Sequence, residues 1–117
     1  MTGIVSYHAG LSAEAAVASD YVRRGHTIAG RRWRGTGGEI DLILRDGARV
    51  IFVEVKKARD FARAAERLSR RQFERVWATA QEFLAGEPSG LGTEVRLDLA
   101  MVDTIGRVSV LENVTFD

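Results

Sequence analysis

The chain contains no cysteine. That excludes a disulfide framework, a cysteine-ligated zinc site and a cysteine nucleophile. There are two histidines, His8 and His26, too few for a histidine-rich metal centre, and neither has a visible partner in the sequence. No apolar run approaches the roughly 20 residues that span a bilayer, so no membrane association is expected. Met1 to Gly10 lacks a basic segment followed by an apolar block, so no secretory signal is expected. A cytoplasmic location follows as the default. A net charge of +1 argues neither for nor against a nucleic-acid partner.

What is present describes one ordinary domain. At 117 residues, with 45% hydrophobic and 28% charged residues, the chain can bury a single core over residues 1–117. Residues 1–9 and 113–117 are expected to be loose. Basic residues cluster at Arg23–Arg24, Arg31–Arg34, Lys56–Arg59 and Arg67–Arg75. Such clusters suit either a phosphate-facing surface or a solvated face.

The hydrophobic periodicity predicts a helix over Leu11–Arg24, with Ser12 or Gly10 as N-cap, an apolar stripe of Val17, Ala18, Tyr21 and Val22, and Gly25 as the stop. Glu14 lies on that stripe one turn earlier, and a carboxylate on an inward face needs a partner. A first strand is expected over His26–Trp33, with Gly30 a weak point. A flexible turn follows at Gly35–Gly38. Two clear strands, Glu39–Arg45 and Ala48–Lys56, flank Asp46-Gly47, a hairpin signal. Asp60–Leu68 reads as a short helix or an ordered loop. A second helix starts at Ser69, where Ser69 and Gln72 predict a capping box and Leu68 and Phe73 a hydrophobic staple. It ends at Gly86, with Pro88 beyond. Glu94–Val102 alternates as a strand, and Val108–Leu111 is a short closing strand.

With Asp46 and Gly47 as the loop, Asp41 pairs with Phe52 and Glu39 with Glu54. One face then carries Ile40, Leu42, Leu44, Ile51, Val53 and Val55. The other carries Glu39, Asp41, Glu54 and Lys56 with Ile43, Val50 and Phe52. In this register Asp41 and Glu54 are diagonal neighbours, roughly 7–8 Å apart, within reach of one cation. A register slip of one residue would destroy the arrangement. Carboxylates that close repel unless a cation or lysine sits among them, and Lys56 shares their face. Hard carboxylate oxygens hold Mg²⁺ while leaving room for water and phosphate. The bland alternative is a polar sheet face with ordinary surface pairs.

The residues also resemble a known family. Gly10 with Ala13-Glu14, Gly25, Arg32-Trp33-Arg34, Gly38-Glu39-Ile40-Asp41-Leu42-Ile43, Phe52-Val53-Glu54-Val55-Lys56, Arg71-Gln72 and Arg96-Leu97-Asp98 are similar to the YraN-like bacterial proteins, uncharacterised protein family 0102. The likeness spans Gly10 to Asn113. That family is similar to archaeal-type Holliday junction resolvases of the PD-(D/E)XK nuclease superfamily. The resemblance implies an α/β, restriction-endonuclease-like fold, a central mixed sheet flanked by helices in the order α-β-β-β-α-β-β. It implies Asp41 and Glu54 as metal carboxylates, Glu14 completing the metal site, Lys56 as the catalytic lysine, and Gln72 as a polar residue near the site. Mg²⁺ or Mn²⁺ would be the cofactor and DNA the partner, with a homodimer by analogy to resolvases. Lys57, Arg70 and Arg71 are candidate phosphate contacts. Three positions depart from the family pattern: Lys57-Ala58-Arg59 follows the Glu-Val-Lys motif instead of Thr-Arg, Arg71 replaces a usual lysine, and Arg32 stands where Asn is often found.

The function expected is a metal-dependent nuclease cleaving DNA phosphodiester bonds on branched or single-stranded substrates. The alternatives are a non-catalytic nucleic-acid-binding module or a protein-interaction domain, the latter signalled by an exposed apolar patch including Phe52 or Trp33. Asp98 is expected to be structural, and Glu39 structural or outside the metal's ligand set.

Overall fold

A computed structural model describes the backbone of residues 3–116 and the side chains of residues 12–116. Helix α1 spans Gly3–Arg23 and is followed by strands β1 (Thr27–Arg34), β2 (Glu39–Asp46) and β3 (Arg49–Lys57). Helices α2 (Phe61–Glu66) and α3 (Arg70–Leu84), then a short 3-10 turn (Gly90–Gly92), lead to β4 (Val95–Val102) and β5 (Val108–Leu111). The five strands form one mixed sheet in sequential order. Only β3 and β4 run parallel, because only they are joined by a crossover long enough to return the chain, through α2 and α3. The expected mixed sheet flanked by helices is what forms. No helix among the described residues is long and apolar enough to cross a membrane.

The sheet is covered on both faces. Ala13, Val17, Ala18 and Tyr21 of α1 pack on Leu42, Leu44, Ile51, Val53, Ala100 and Val102. Val76, Ala80 and Leu84 of α3 pack on Ile43, Val50, Phe52 and Leu97 from the other side. Ala64 and Leu68, from and just after α2, cover Leu99 and Met101. Strand alternation therefore sorts each side chain to a helix: on β4 the odd positions meet α2 and α3 and the even positions meet α1. Trp33 and Phe52 are packing residues. Phe52 is fully buried, and both rings make edge contacts with Phe83. The patch that would have marked a protein-interaction domain is absent at these two rings.

Several boundaries differ from the sequence expectation. α1 begins at Gly3, so Ser12 and Gly10 lie inside the helix and cap nothing, and residues 3–9 are helical. Its stop is as expected: Gly25 has φ +94, a left-handed conformation that glycine adopts without a Cβ clash. Val22 is half-exposed and leaves the apolar stripe. Residues 113–116 are tied down. The Val114 N–H bonds the Leu97 carbonyl at 2.8 Å, and the Phe116 ring stacks on Phe73. Asp117 lies outside the described residues. The weak point at Gly30 is a register irregularity between Ile28 and Gly30.

The β2–β3 hairpin is the main correction. Asp46 pairs with Arg49 and Leu42 with Val53, so the loop is Gly47-Ala48 and the register is shifted by two residues. Gly47 takes φ +63, which a two-residue hairpin turn requires at its first loop position. The Asp46 carboxylate accepts a 2.7 Å bond from Arg49 across that turn. A two-residue shift preserves the faces, so Asp41, Glu54 and Lys56 still share one. It changes who stands opposite whom. Ile40 departs from its expected face: it packs in the α3-side cluster, because β2 leaves the regular ladder with β3 beyond Leu42.

Candidate functional site

Where the β2–β3 ladder ends, carboxylates replace backbone pairing. Continued one step past its last pair, Leu42 with Val53, the register would set Asp41 opposite Glu54 and not diagonal to it, and Glu39 pairs with Arg34 of β1. The Val55 N–H donates to Asp41 Oδ2 at 2.8 Å. The Asp41 backbone amide in turn pulls on the Glu54 carboxyl electrostatically. Asp41 thus takes a backbone hydrogen bond that a ladder carbonyl would otherwise accept, which holds its side chain at the end of the ladder.

Glu54 is 3% exposed. Its Oε2 accepts a 3.0 Å bond from Gln72 Nε2 on α3, and its Oε1 is buried without any hydrogen-bond partner. Burial, then repulsion from Asp41, pushes the Glu54 carboxyl up to about 8, against the pull of Lys56 and the Asp41 amide. Burial also raises Asp41, opposed by the Val55 N–H and Lys56. Two acids this close cannot both ionise at low cost in a poorly solvated site. Such a pair can hold one shared proton or one hard cation.

Both acids line a cleft of about 260 Å³, with Glu39, Gln72, Arg75 and the Gly37-Gly38 rim. The rim belongs to the β1–β2 turn, which is fastened to α3: the Thr36 N–H donates to both Glu82 carboxylate oxygens at 2.9 and 3.2 Å. A Cβ at Gly35 would fall 2.6 Å from Glu82 Oε2, so a larger residue there would push aside the carboxylate that fastens the turn. On the α3 side, Ser69 caps the helix by accepting the Gln72 N–H at 3.1 Å. Only this half of the expected capping box forms among the described residues; the Gln72 side chain is directed to Glu54.

The other expected residues stand as follows. Glu14 of α1 is half-buried, with its carboxyl raised by burial and then by Asp41, and lowered by Arg32. Arg32 Nε lies 3.8 Å from Glu14 Oε1. Glu14 is thus within the electrostatic reach of Asp41, but among the described residues no three His, Cys, Asp or Glu side chains are arranged to hold a metal. Lys56 is half-buried and acts on Asp41 and Glu54 through its charge. Lys57 is half-buried and Arg71 exposed, and neither lines the cleft. Arg70 sits over the Phe116 ring at 5.6 Å, on the C-terminal side of the site. Arg75, the cleft's guanidinium, was visible in sequence only as one of a basic cluster. Its signal was helical spacing, since it follows Gln72 by three residues and so shares its face.

Asp98 is structural. It is fully buried, accepts the Tyr21 hydroxyl at 2.7 Å, two bonds from Arg96 at 2.8 and 2.9 Å, and the Asn113 N–H at 3.1 Å. The Tyr21 hydroxyl is held well above its usual range by burial and by that bond.

Comparison with known proteins follows the same residues. The uncharacterised protein family UPF0102 matches residues 13–102. A UPF0102 protein of Cereibacter sphaeroides is 60% identical over 113 residues, covering 97% of each chain. UPF0102 proteins of Ruegeria pomeroyi and Roseobacter denitrificans are 55% and 53% identical, each over 95% of this chain and over 90% and 86% of their own. The chain belongs to the UPF0102 family.

Proposed function

We propose that this protein is a metal-dependent nuclease that hydrolyses DNA phosphodiester bonds, with Asp41 and Glu54 as the carboxylates that hold Mg²⁺ or Mn²⁺. The observation that carries the reading is Glu54 Oε1: a carboxylate oxygen, almost wholly buried and without a partner, in a cleft shared with a second acid. An orphaned buried oxygen is costly unless something occupies it. An oxygen-only donor set fits a hard divalent cation. When bound, such a cation would acidify a water molecule and neutralise charge on the phosphate. The residues around it have separable tasks. The Val55 N–H and the Gln72 amide fix the orientation of the two carboxylates. Lys56 offsets their charge and would offset charge on the attacked phosphate. Glu14 on α1, whose carboxyl Asp41 helps to raise, would be the third carboxylate by family resemblance. A cytoplasmic setting, the default for a cysteine-free chain, and, by family resemblance, a paired chain acting on branched or single-stranded DNA complete the reading.

The test is cleavage of labelled duplex, single-stranded, flap and four-way-junction DNA in Mg²⁺, Mn²⁺ or EDTA. Asp41→Ala and Glu54→Ala should each abolish cleavage while leaving the circular dichroism spectrum unchanged. Full activity in both variants would sink the reading. A second reading, a nucleic-acid-binding module without catalysis, is favoured by the missing third ligand among the described residues. Binding that depends on salt but not on Mg²⁺ or Glu54 would select it.

A further inference from the structure

The cleft carries three acids and one strong cation. Glu39, Asp41 and Glu54 line it, and opposite them on α3 stands Arg75. Most arginines near the sheet are already committed: Arg45 to Glu87, Arg49 to Asp46 and Arg96 to Asp98. Arg75 has no ion pair or hydrogen-bonded side-chain partner among the described residues. Its stem is nevertheless placed. The Gly38 position, bare of a side chain, lies against it: a Cβ there would come within 3.1 Å of Arg75 Cγ and 3.5 Å of Cδ. The stem is therefore seated along the rim while the guanidinium remains available. Gly37 beside it would meet nothing within 4 Å even with a Cβ, so the rim is open to a large ligand. The acid opposite, Glu54, keeps its unpartnered buried oxygen. An anion cannot approach three acids unless a positive group receives it, and a planar guanidinium matches two oxygens of a phosphate at once.

We infer that Arg75 is the phosphodiester-binding residue of this cleft, holding the DNA backbone against the carboxylate pair from the α3 side. This deepens the nuclease reading and rests on it for the identity of the substrate. It also separates Arg75 from Arg71, the sequence's candidate, which lies outside the cleft lining.

The experiment is fluorescence-anisotropy titration of labelled single-stranded and duplex DNA in Ca²⁺, over a series of KCl concentrations, with the full chain. Arg75→Ala should weaken binding roughly tenfold and reduce the slope of log Kd against log salt by about 0.9. Arg75→Lys should restore the slope but not all the affinity, because a point charge replaces a two-pronged one. Arg23→Ala removes an equal charge from α1 across the sheet and should change neither. Arg75 is exposed, so thermal melts of the variants should overlay the parent. Unchanged affinity in Arg75→Ala, or an equal loss in Arg23→Ala, would overturn the inference and leave the nuclease reading standing. If the parent binds DNA without cleaving it, the Arg75→Ala loss still supports the phosphate contact while the catalytic reading falls. If the parent binds no DNA, both fall.

Discussion

Two acids are buried on neighbouring strands of the same sheet, one residue apart in register. Val53 pairs with Asp98 and Glu54 with Leu99, so one carboxylate faces α1 and the other α3. Asp98 is surrounded by donors: a hydroxyl, a guanidinium offering two bonds, and a backbone N–H. Glu54 has one side-chain amide as its donor, with an oxygen left over. The first is satisfied by the protein itself and ties α1, β4 and the C-terminal segment together. The second is left incomplete next to an open cleft and another acid. Burial alone does not separate a structural carboxylate from a functional one; the count of donors does.

The largest effect that tests this contrast is removal of Asp98. Asp98→Ala leaves the Arg96 guanidinium and the Tyr21 hydroxyl without their acceptor in the interior, and should destabilise the fold by about 3–5 kcal/mol. Urea denaturation followed by circular dichroism measures it. A loss below about 1 kcal/mol would mean that Asp98 is no more structural than Glu54.

The next effect has the opposite sign. The Glu54 carboxyl is pushed up to about 8, from about 4.5 when unfolded. A group with a raised folded value binds its proton more tightly in the native state. Its stabilising contribution is complete below about pH 4.5 and is lost as pH rises through about 8. Without divalent metal, the protein should therefore lose stability between those values, by at most about 5 kcal/mol. Glu54→Gln keeps the shape and removes the charge. It should flatten the pH dependence and melt higher than the parent at pH 8, whereas Asp98→Ala melts lower at every pH. A Glu54→Gln variant less stable than the parent at pH 8 would erase the distinction between the two acids.

Much of this contrast was legible before the fold was. Alternation in β3 put Glu54 and Lys56 on one face, and the position of Glu14 on an apolar stripe marked it as unusual. The staple of Leu68 with Phe73, the Ser69 cap and the Gly25 stop all follow from side-chain chemistry within a few residues of each other, and all are present. The hairpin register was not legible, since Asp46-Gly47 and Gly47-Ala48 both satisfy a two-residue loop. The choice depends on which residue adopts a positive φ, and a composition signal does not fix that. The start of α1 is not legible because the apolar stripe that locates the helix, Val17, Ala18 and Tyr21, lies in its C-terminal half. Gln72 was read as half of a capping box because its spacing fits one. Its use at Glu54 is a tertiary contact over 18 residues, invisible to local pattern. The donors around Asp98 come from α1, β4 and the segment after β5, so its role could be expected only in outline.

The smallest expected effect concerns backbone strain, and it divides along the same line. Two non-glycine residues adopt a positive φ: Asn113 at 55° and Arg32 at 50°. Asn113 serves the Asp98 side, where its N–H donates to that carboxylate, and asparagine tolerates the left-handed region well. Arg32 lies on β1 in the position facing Asp41, and its charge acts on both Asp41 and Glu14. A long side chain pays a steric penalty of roughly 1–2 kcal/mol there. Asn would suit the position better. Arg32→Asn relieves part of the strain but loses the 3.8 Å pair with Glu14, which is partly solvated and worth at most about 1 kcal/mol. The net change should be a stabilisation of about 0.5 kcal/mol, read as a shift in urea midpoint at constant slope. Asn113→Gly should lie within a few tenths of a kcal/mol of the parent, because its residue already suits the conformation. If Arg32→Asn destabilises the fold instead, the guanidinium is contributing more to Glu14 and Asp41 than its exposure implies. Strain at β1 would then be held in place by the acids of the cleft rather than tolerated beside them.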